Sequence, residues 1–341
     1  MSHYDYILYA PFIHTGGGKT LLIQLLSQIQ DYANSLVIID DRISFKFKAN
    51  KKCDVLLIKK NYFSYALSEF TLHKCSTKKT RVLCLHGAPP LIRNPGYVIV
   101  FFQNRLHLIE KKYSLNFTEK LKKYFFTKSF SFCNEVIVQT DSMLYDFENF
   151  LQKNSLFTKL VKKPFFNIEP FKNNIPKKKF DFIYVADGSP HKNHKCLIEA
   201  WILLSKQNIR PSLVLTIPMS QKAIIYNIEA LIKKYKLNIY NFSNLSVVEV
   251  NNLYIKSNSL IFPSLVESFG LPLLEASHHN LIIIAGELDY VRDVCVPNYT
   301  FNPLSPLSIS RAVSRSLGIK YVINQPCSAK SFIEYVFRVV R

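Results

Sequence analysis

The stretch Phe262-Pro263-Ser264-Leu265-Val266-Glu267-Ser268-Phe269-Gly270-Leu271-Pro272-Leu273-Leu274-Glu275-Ala276 decides how this chain is read. An apolar run ends at Phe262. Gly270 then marks a turn before a helix that opens at Leu271 and Pro272, because proline is tolerated in a first helical turn, where its missing N–H costs no intrahelical bond. The order is strand, turn, helix. Glu267 and Glu275 fall on either side of the helix N-terminus with seven residues between them. Free N–H groups and the helix dipole make such an end receptive to a phosphate. Glu275, one turn into the helix, is placed to accept hydrogen bonds from neighbouring hydroxyls. Taken singly, the two glutamates would read as a loop residue and a solvated helix face; the whole string carries the argument.

The same order recurs upstream, where Phe182 to Val185 leads through a turn at Asp187 to Pro190 into a helix from about Lys195 to Leu204. Further strands are expected at Leu213 to Ile217, Ser259 to Phe262 and Leu281 to Ile284. In the first half Tyr6 to Ala10 runs into a glycine turn, Gly16, Gly17 and Gly18, and then into a helix over Thr20 to Ile29. Short apolar runs follow at Leu36 to Ile39, Val55 to Ile58, Val82 to Leu85, Val98 to Phe101 and Val136 to Val138. Such runs, alternating with longer amphipathic segments, argue for parallel sheets covered by helices. Between Lys162 and Lys179 the composition turns to Lys, Pro and Asn with scattered Phe, which breaks both periodicities. The expected chain is therefore α/β, with parallel-sheet domains over 1–165 and 180–327, a linker over 166–179 and a closing helix over 328–341. A length of 341 residues fits two domains at roughly 150 residues each.

His14-Thr15-Gly16-Gly17-Gly18-Lys19-Thr20 ends like a nucleotide-hydrolase phosphate loop, but that loop needs a glycine five residues before its last one, and Ile13 stands there. Three successive glycines still exceed what one tight turn requires. Leu85-His86-Gly87-Ala88-Pro89 puts His86 just past a strand, where a parallel sheet lines its crevice.

The string around Glu267 resembles the signature of retaining glycosyltransferases of family 4, which have the GT-B fold. That resemblance implies that both domains are Rossmann-like and that the closing helix packs back on the first domain. The resemblance implies that Glu267 faces the donor sugar, that Ser268, Phe269 and Gly270 present backbone N–H groups to the donor diphosphate, and that Glu275 holds the nucleotide ribose. Phe182 to His194 is similar to the first strand and turn of the family's donor-binding domain, which assigns Lys192 to the diphosphate. An ammonium there neutralises charge building on a departing nucleoside diphosphate. The sequence departs from the family at Asp187, where many members carry an arginine; Asn193, or a basic residue elsewhere, is the expected substitute. The resemblance also implies that Gly16, Gly17 and Gly18 approach the donor phosphates from across the cleft and that His86 lies near the transferred sugar. Gln103-Asn104-Arg105 resembles a family segment as well, with no role assigned.

The charge balance, 44 Lys plus Arg against 24 Asp plus Glu, leaves +20, a field that draws the chain toward an anionic partner. The apolar runs are too short for a spanning helix, and Asp5 stands where a signal peptide needs a basic flank, so a cytoplasmic chain is expected. Seven scattered cysteines without a Cys-x-x-Cys pair read as reduced thiols. Arg105 to Lys128 interleaves Lys111, Lys112, Lys120, Lys122 and Lys123 with leucine and phenylalanine, a composition suited to an anionic bilayer on the inner face of the cytoplasmic membrane. No Asp-x-Asp occurs, so no metal site and no cofactor are expected. The functional expectation is retaining, metal-independent transfer of a sugar from a nucleotide sugar to a glycan or lipid-linked glycan acceptor, in bacterial surface-polysaccharide, O-antigen, lipopolysaccharide or capsule synthesis. A sugar phosphorylase of the same fold is the rival within enzymes. A basic nucleic-acid-binding protein is the rival outside them, although no nucleic-acid-binding signature accompanies the charge and nucleic acid is not the expected partner.

Overall fold

Two sets of short parallel strands build the architecture. The first comprises β1 (Tyr6–Ala10), β2 (Ser35–Asp40), β3 (Cys53–Ile58), β4 (Arg81–Cys84), β5 (Tyr97–Phe101), β6 (Glu135–Val138) and β7 (Lys159–Lys162). The second comprises β8 (Phe180–Tyr184), β9 (Leu213–Leu215), β10 (Ile239–Asn241), β11 (Ser257–Phe262), β12 (Ile282–Gly286) and β13 (Tyr299–Phe301). Their orders are β3-β2-β1-β4-β5-β6-β7 and β10-β9-β8-β11-β12-β13. The chain is described by a computed structural model over residues 2–29, 31–45, 53–85, 87–108, 117–167 and 177–319.

In each sheet the strand order reverses beside the first strand, between β1 and β4 and again between β8 and β11. Connections leave in opposite directions there, so a crevice opens outside the carboxyl ends of those strands. The segments that follow β1, β8 and β11 are the three motif-bearing stretches of the sequence. Topology thus collects them at the crevices.

Helices α1 (Gly16–Ile29), α2 (Tyr62–Cys75), α3 (Phe117–Ser129) and α4 (Asp141–Lys153) cover the first sheet. Leu8, Ala10, Val37 and Ile39 pack with Leu21, Leu22 and Leu26 of α1, whereas Ile7, Tyr9, Leu36 and Ile38 pack with Leu72 of α2, Phe126 of α3 and Phe147 of α4. Successive strand residues face opposite sides, so α1 lies on one face and α2, α3 and α4 lie on the other. Burial on both faces explains why the strands read as unbroken apolar runs.

The second sheet is covered by α5 (His194–Lys206), α6 (Lys222–Tyr235), α7 (Val247–Ile255), α8 (Leu271–His278), α9 (Asp289–Arg292) and α10 (Pro306–Ser316). Its core forms around Trp201, whose ring meets Phe182 edge-on at 5.5 Å and whose Nε1–H donates to the Pro211 carbonyl at 3.0 Å. A buried indole needs such an acceptor.

The structure differs from the sequence reading in three places. α1 begins at Gly16, so the glycines are the first turn of the helix rather than a loop before it. Residues without side chains carry no apolar periodicity, which hid this turn. Strands β7, β10 and β13 were not anticipated, because each spans only three or four residues and β7 has lysine at both ends. Finally, Phe165 and Phe166 pack on the first core and Asn167 exchanges two hydrogen bonds with Gln24, while the Lys179 N–H donates to the Lys256 carbonyl of the second domain. Both ends of the 166–179 segment are therefore fastened to a domain. The expected closing helix over 328–341 lies outside the described residues.

Leu260 is fully buried in the central strand β11. Leu260→Ala should lower stability by about 2–5 kcal/mol through lost transfer energy and a residual cavity. Urea unfolding followed by the fluorescence of Trp201, the only tryptophan, measures it. An unchanged midpoint would contradict the assigned core.

Candidate active site

The crevice of the second domain is built from Tyr184, the last residue of β8. Its buried hydroxyl donates to the Lys192 carbonyl at 2.7 Å and lies 2.9 Å from Ser264 Oγ. The Leu265 N–H donates to the His191 carbonyl at 2.8 Å, and Tyr290 Oη donates to the Ser264 carbonyl at 2.6 Å. The turn after β8 and the loop after β11 are thus sewn together. Asn193 sits in the left-handed region, and its side-chain amide donates to the carbonyls of Pro263 and Pro303. Its donors are committed to backbone, so Asn193 does not replace the arginine missing at Asp187.

These bonds bring two motif residues together: Lys192 Nζ stands 2.7 Å from Glu267 Oε1, with both side chains mostly buried. An ammonium has three donors, so this pair leaves Lys192 capacity for a further anion. Burial works to raise the Asp187 carboxyl, but hydrogen bonds from Ser189, with the charges of Lys192 and His191 behind them, hold it below its ordinary value. Asp187, His191, Lys192 and Glu267 form one electrostatic group.

Gly270 caps α8 with φ +75°, and an added Cβ would stand 3.0 Å from Leu273 Cδ1. A left-handed cap of this kind favours glycine. Just before it, Ser268 is held by the first domain. Its Oγ accepts from the Arg105 N–H at 2.9 Å, and its carbonyl accepts from Thr140 Oγ1 at 3.4 Å. The Arg105 guanidinium is anchored by Asp146 at 2.6 Å, and the Ser142 N–H at the start of α4 donates to Asp293 of the second domain at 2.9 Å. An added Cβ on Gly17 would meet Leu271 Cδ1 across the cleft at 3.2 Å, and one on Gly18 would meet Gln103 Oε1 of its own domain at 3.3 Å. The three glycines, Gln103 to Arg105 and Ser268 to Leu271 therefore converge from both domains.

Glu275 lies behind this turn, where its Oε2 accepts from the buried Tyr254 hydroxyl at 2.8 Å. Burial pushes its carboxyl up, and the Tyr254 bond pulls the other way. Asp40, buried at the end of β2, is paired with Arg42 and lies 3.9 Å from His14. His86, Lys111 and Lys112 lie outside the described residues; Lys120, Lys122 and Lys123 are exposed on α3. Sequence reasoning missed Tyr184, Ser264, Tyr290 and Asp40, and assigned Arg105 no role. Only Arg105 had a signal, its position just after a strand of the parallel sheet.

Residues 165–335, half of the chain, match the profile of the family described as glycosyl transferases group 1. The chain belongs to the glycosyl transferases group 1 family. Over 145 residues it is 27% identical to the serotype-specific mannosyltransferase WbdA of Escherichia coli; the match takes in 40% of this chain and 17% of that relative's length. Among solved structures it is similar to Anabaena Alr3699/HepE in complex with UDP-glucose, with TM-score 0.66, 14% identity and coverage of 92% and 89% of the two chains. It is likewise similar to a sucrose-phosphate synthase from Thermosynechococcus elongatus, with TM-score 0.66, 12% identity and the same coverages. This group 1 glycosyltransferase therefore has the two-domain GT-B architecture, both domains Rossmann-like.

His194, the first residue of α5, is buried beside the Tyr184 ring, and neither ring nitrogen has a partner among the described residues. Burial pushes its pKa from 6.5 down to about 4. The unfolded chain takes up this proton below pH 6.5 and the folded chain only below about 4, so stability is full above that window and falls as the pH drops through it. At 1.36 kcal/mol per pH unit, the loss from this group approaches about 3 kcal/mol. Denaturation midpoints across the window should therefore fall more steeply for the parent than for His194→Leu; equal slopes would place the acid sensitivity elsewhere.

Proposed function

We propose that this group 1 glycosyltransferase is a retaining enzyme of the family 4 type. It moves a sugar from a nucleotide-sugar donor to a hydroxyl of a glycan or lipid-linked glycan, in bacterial surface-polysaccharide, O-antigen, lipopolysaccharide or capsule synthesis. The Lys192–Glu267 pair, set beside the N-terminus of α8 at the crevice, carries the reading. The mannosyltransferase relative and the neighbour crystallised with UDP-glucose support the substrate class.

In this reading Lys192, the N–H groups of Ser268 to Gly270 and the α1 glycines receive the diphosphate. A diphosphate brings more charge than one carboxylate, so it competes for the ammonium and frees Glu267 to face the donor sugar. Lys192 then stabilises charge that grows as the glycosidic bond breaks, which lowers the barrier because this interaction is strongest in the transition state. Glu275 receives the ribose hydroxyls, since a carboxylate that accepts from Tyr254 keeps further lone pairs. His86 lies by the transferred sugar. The acceptor proton passes to a donor phosphate oxygen as the acceptor oxygen bonds to the anomeric carbon. No metal or cofactor takes part.

The enzyme works at the inner face of the cytoplasmic membrane, with Lys111, Lys112, Lys120, Lys122 and Lys123 toward anionic lipid. No described helix is long and apolar enough to cross a membrane.

Glu275→Ala should weaken nucleotide-sugar binding by about 1.5–3 kcal/mol through loss of a charge-assisted acceptor. Calorimetry on the folded variant tests it, and unchanged affinity removes Glu275 from the donor site. Lys192→Ala should lower kcat more than it raises KM; a raised KM with kcat preserved would make the lysine a ground-state binder only. Transfer should also persist in EDTA, and activity lost there and restored only by Mg²⁺ or Mn²⁺ would overturn the metal-independent mechanism.

A further inference from the structure

Helix α2 buries Ser68, Glu69, Leu72 and Cys75 against the first sheet. On its other side Phe63, Leu67, Phe70 and Lys74 follow one another three or four residues apart, all exposed, with the Lys74 ammonium 4.5 Å from the Phe70 ring centroid. Tyr62 and Phe63 are 96% and 80% exposed. An apolar helical stripe turned to water is the reverse of what an ordinary surface helix presents.

The position of the stripe gives it a direction. All strands of this sheet are parallel and the crevice lies at their carboxyl ends, so α2, which follows β3, starts at the cleft end. Its most exposed residues, Tyr62 and Phe63, are therefore nearest the cleft, preceded by exposed Lys59 and Lys60. The loop after β4 is tied to the same helix: the Ile92 N–H donates to Glu69 Oε2 at 3.2 Å, and the loop exposes Leu91 and Ile92. From the other side the exposed Phe12 ring meets Tyr65 of α2 at 4.5 Å, extending the apolar surface toward the glycine turn of α1.

The charge around the stripe selects its occupant. The only acid of α2 is Glu69, which is buried, while Lys59, Lys60, Lys74, Lys78 and Lys79 are exposed around the helix ends. Aromatic and aliphatic side chains ringed by lysines fit the interface of an anionic bilayer, where apolar groups enter the headgroup boundary and lysines meet the negative surface potential. On the same side of the sheet α3 exposes Leu121, Tyr124 and Phe125 among its own lysines, a second contact of the same chemistry.

We propose that α2 and the loop after β4 form the bilayer-docking face of this protein, that they seat on an anionic phospholipid surface, and that they lead a lipid-borne acceptor to the mouth of the cleft. Delivery of an acceptor rests on the transferase reading above; docking does not. The test is sedimentation with vesicles of equal parts phosphatidylglycerol and phosphatidylcholine, and with phosphatidylcholine alone. The parent should bind the mixed vesicles only. The triple variant Tyr62→Ser, Phe63→Ser, Leu67→Ser should partition at least about tenfold less, with its unfolding midpoint and UDP or GDP binding unchanged. A triple variant that sediments like the parent, while Lys120→Gln, Lys122→Gln, Lys123→Gln does not, overturns the α2 face and leaves α3 as the contact. A parent that never sediments with the mixed vesicles overturns docking altogether. If the parent and triple variant differ in vesicle binding but the parent neither binds nor turns over any nucleotide sugar, the docking face stands and the transferase reading falls.

Discussion

The Tyr184 hydroxyl is the point on which the arrangement of the second domain depends. It stands at the end of β8, adjacent to β11, and bonds to the turn after its own strand and to Ser264 in the loop after the neighbouring one. Burial pushes its phenol far above its ordinary pKa, so it remains a neutral donor. Without this bridge the Lys192 carbonyl and the buried Ser264 hydroxyl would each lose a partner, and unsatisfied buried polar groups are costly. The bridge fixes the separation of two loops whose charged residues must meet. The Lys192–Glu267 pair is therefore a result of the backbone arrangement rather than the force that creates it, in keeping with the small net worth of ion pairs taken out of water.

A second dependence runs between domains. Ser268 belongs by sequence to the turn before α8, yet its side chain and carbonyl are held by Arg105 and Thr140 of the other domain. Asp293 of the second domain reaches back to the Ser142 N–H in the first turn of α4, where the helix dipole favours a carboxylate. Each domain thus completes a loop of the other. A change in their relative position would move the turn before α8 directly, without any relay through the cores.

How much of this was legible followed from range. The strand, turn and helix around Gly270 was readable because each step had a local cause: a proline suited to a first helical turn, a glycine suited to a left-handed cap, an apolar run before them. The likeness of Glu267 and Lys192 to a known pattern brought both into one site, and they meet at 2.7 Å. What holds them was not readable. Tyr184 and Ser264 are 80 residues apart, and nothing in either neighbourhood marks a buried hydroxyl as a bridge rather than a core or loop residue. Asn193 misled for the same reason. Its place near Asp187 suggested a substitute for the family's arginine, while its left-handed backbone and two carbonyl partners make it a structural corner. The α1 glycines failed in another way, since helix recognition rests on side-chain periodicity that glycine lacks.

The charge of the chain also divides more sharply in three dimensions than in composition. Within the crevice Lys192 is answered by Glu267 and Asp187, and Arg105 by Asp146, so the site at rest is close to balanced. The excess that makes +20 must therefore lie largely outside these groups, on exposed lysines such as those of α2 and α3. A balanced site and a basic exterior act on different partners. A basic exterior attracts an anionic surface only within a screening length of about 8 Å at physiological salt. The crevice, in contrast, holds its lysine against a single carboxylate and keeps spare donors on that ammonium, so on the proposed reading a ligand that offers more charge than Glu267, and offers it at the α8 N-terminus, gains most from entering.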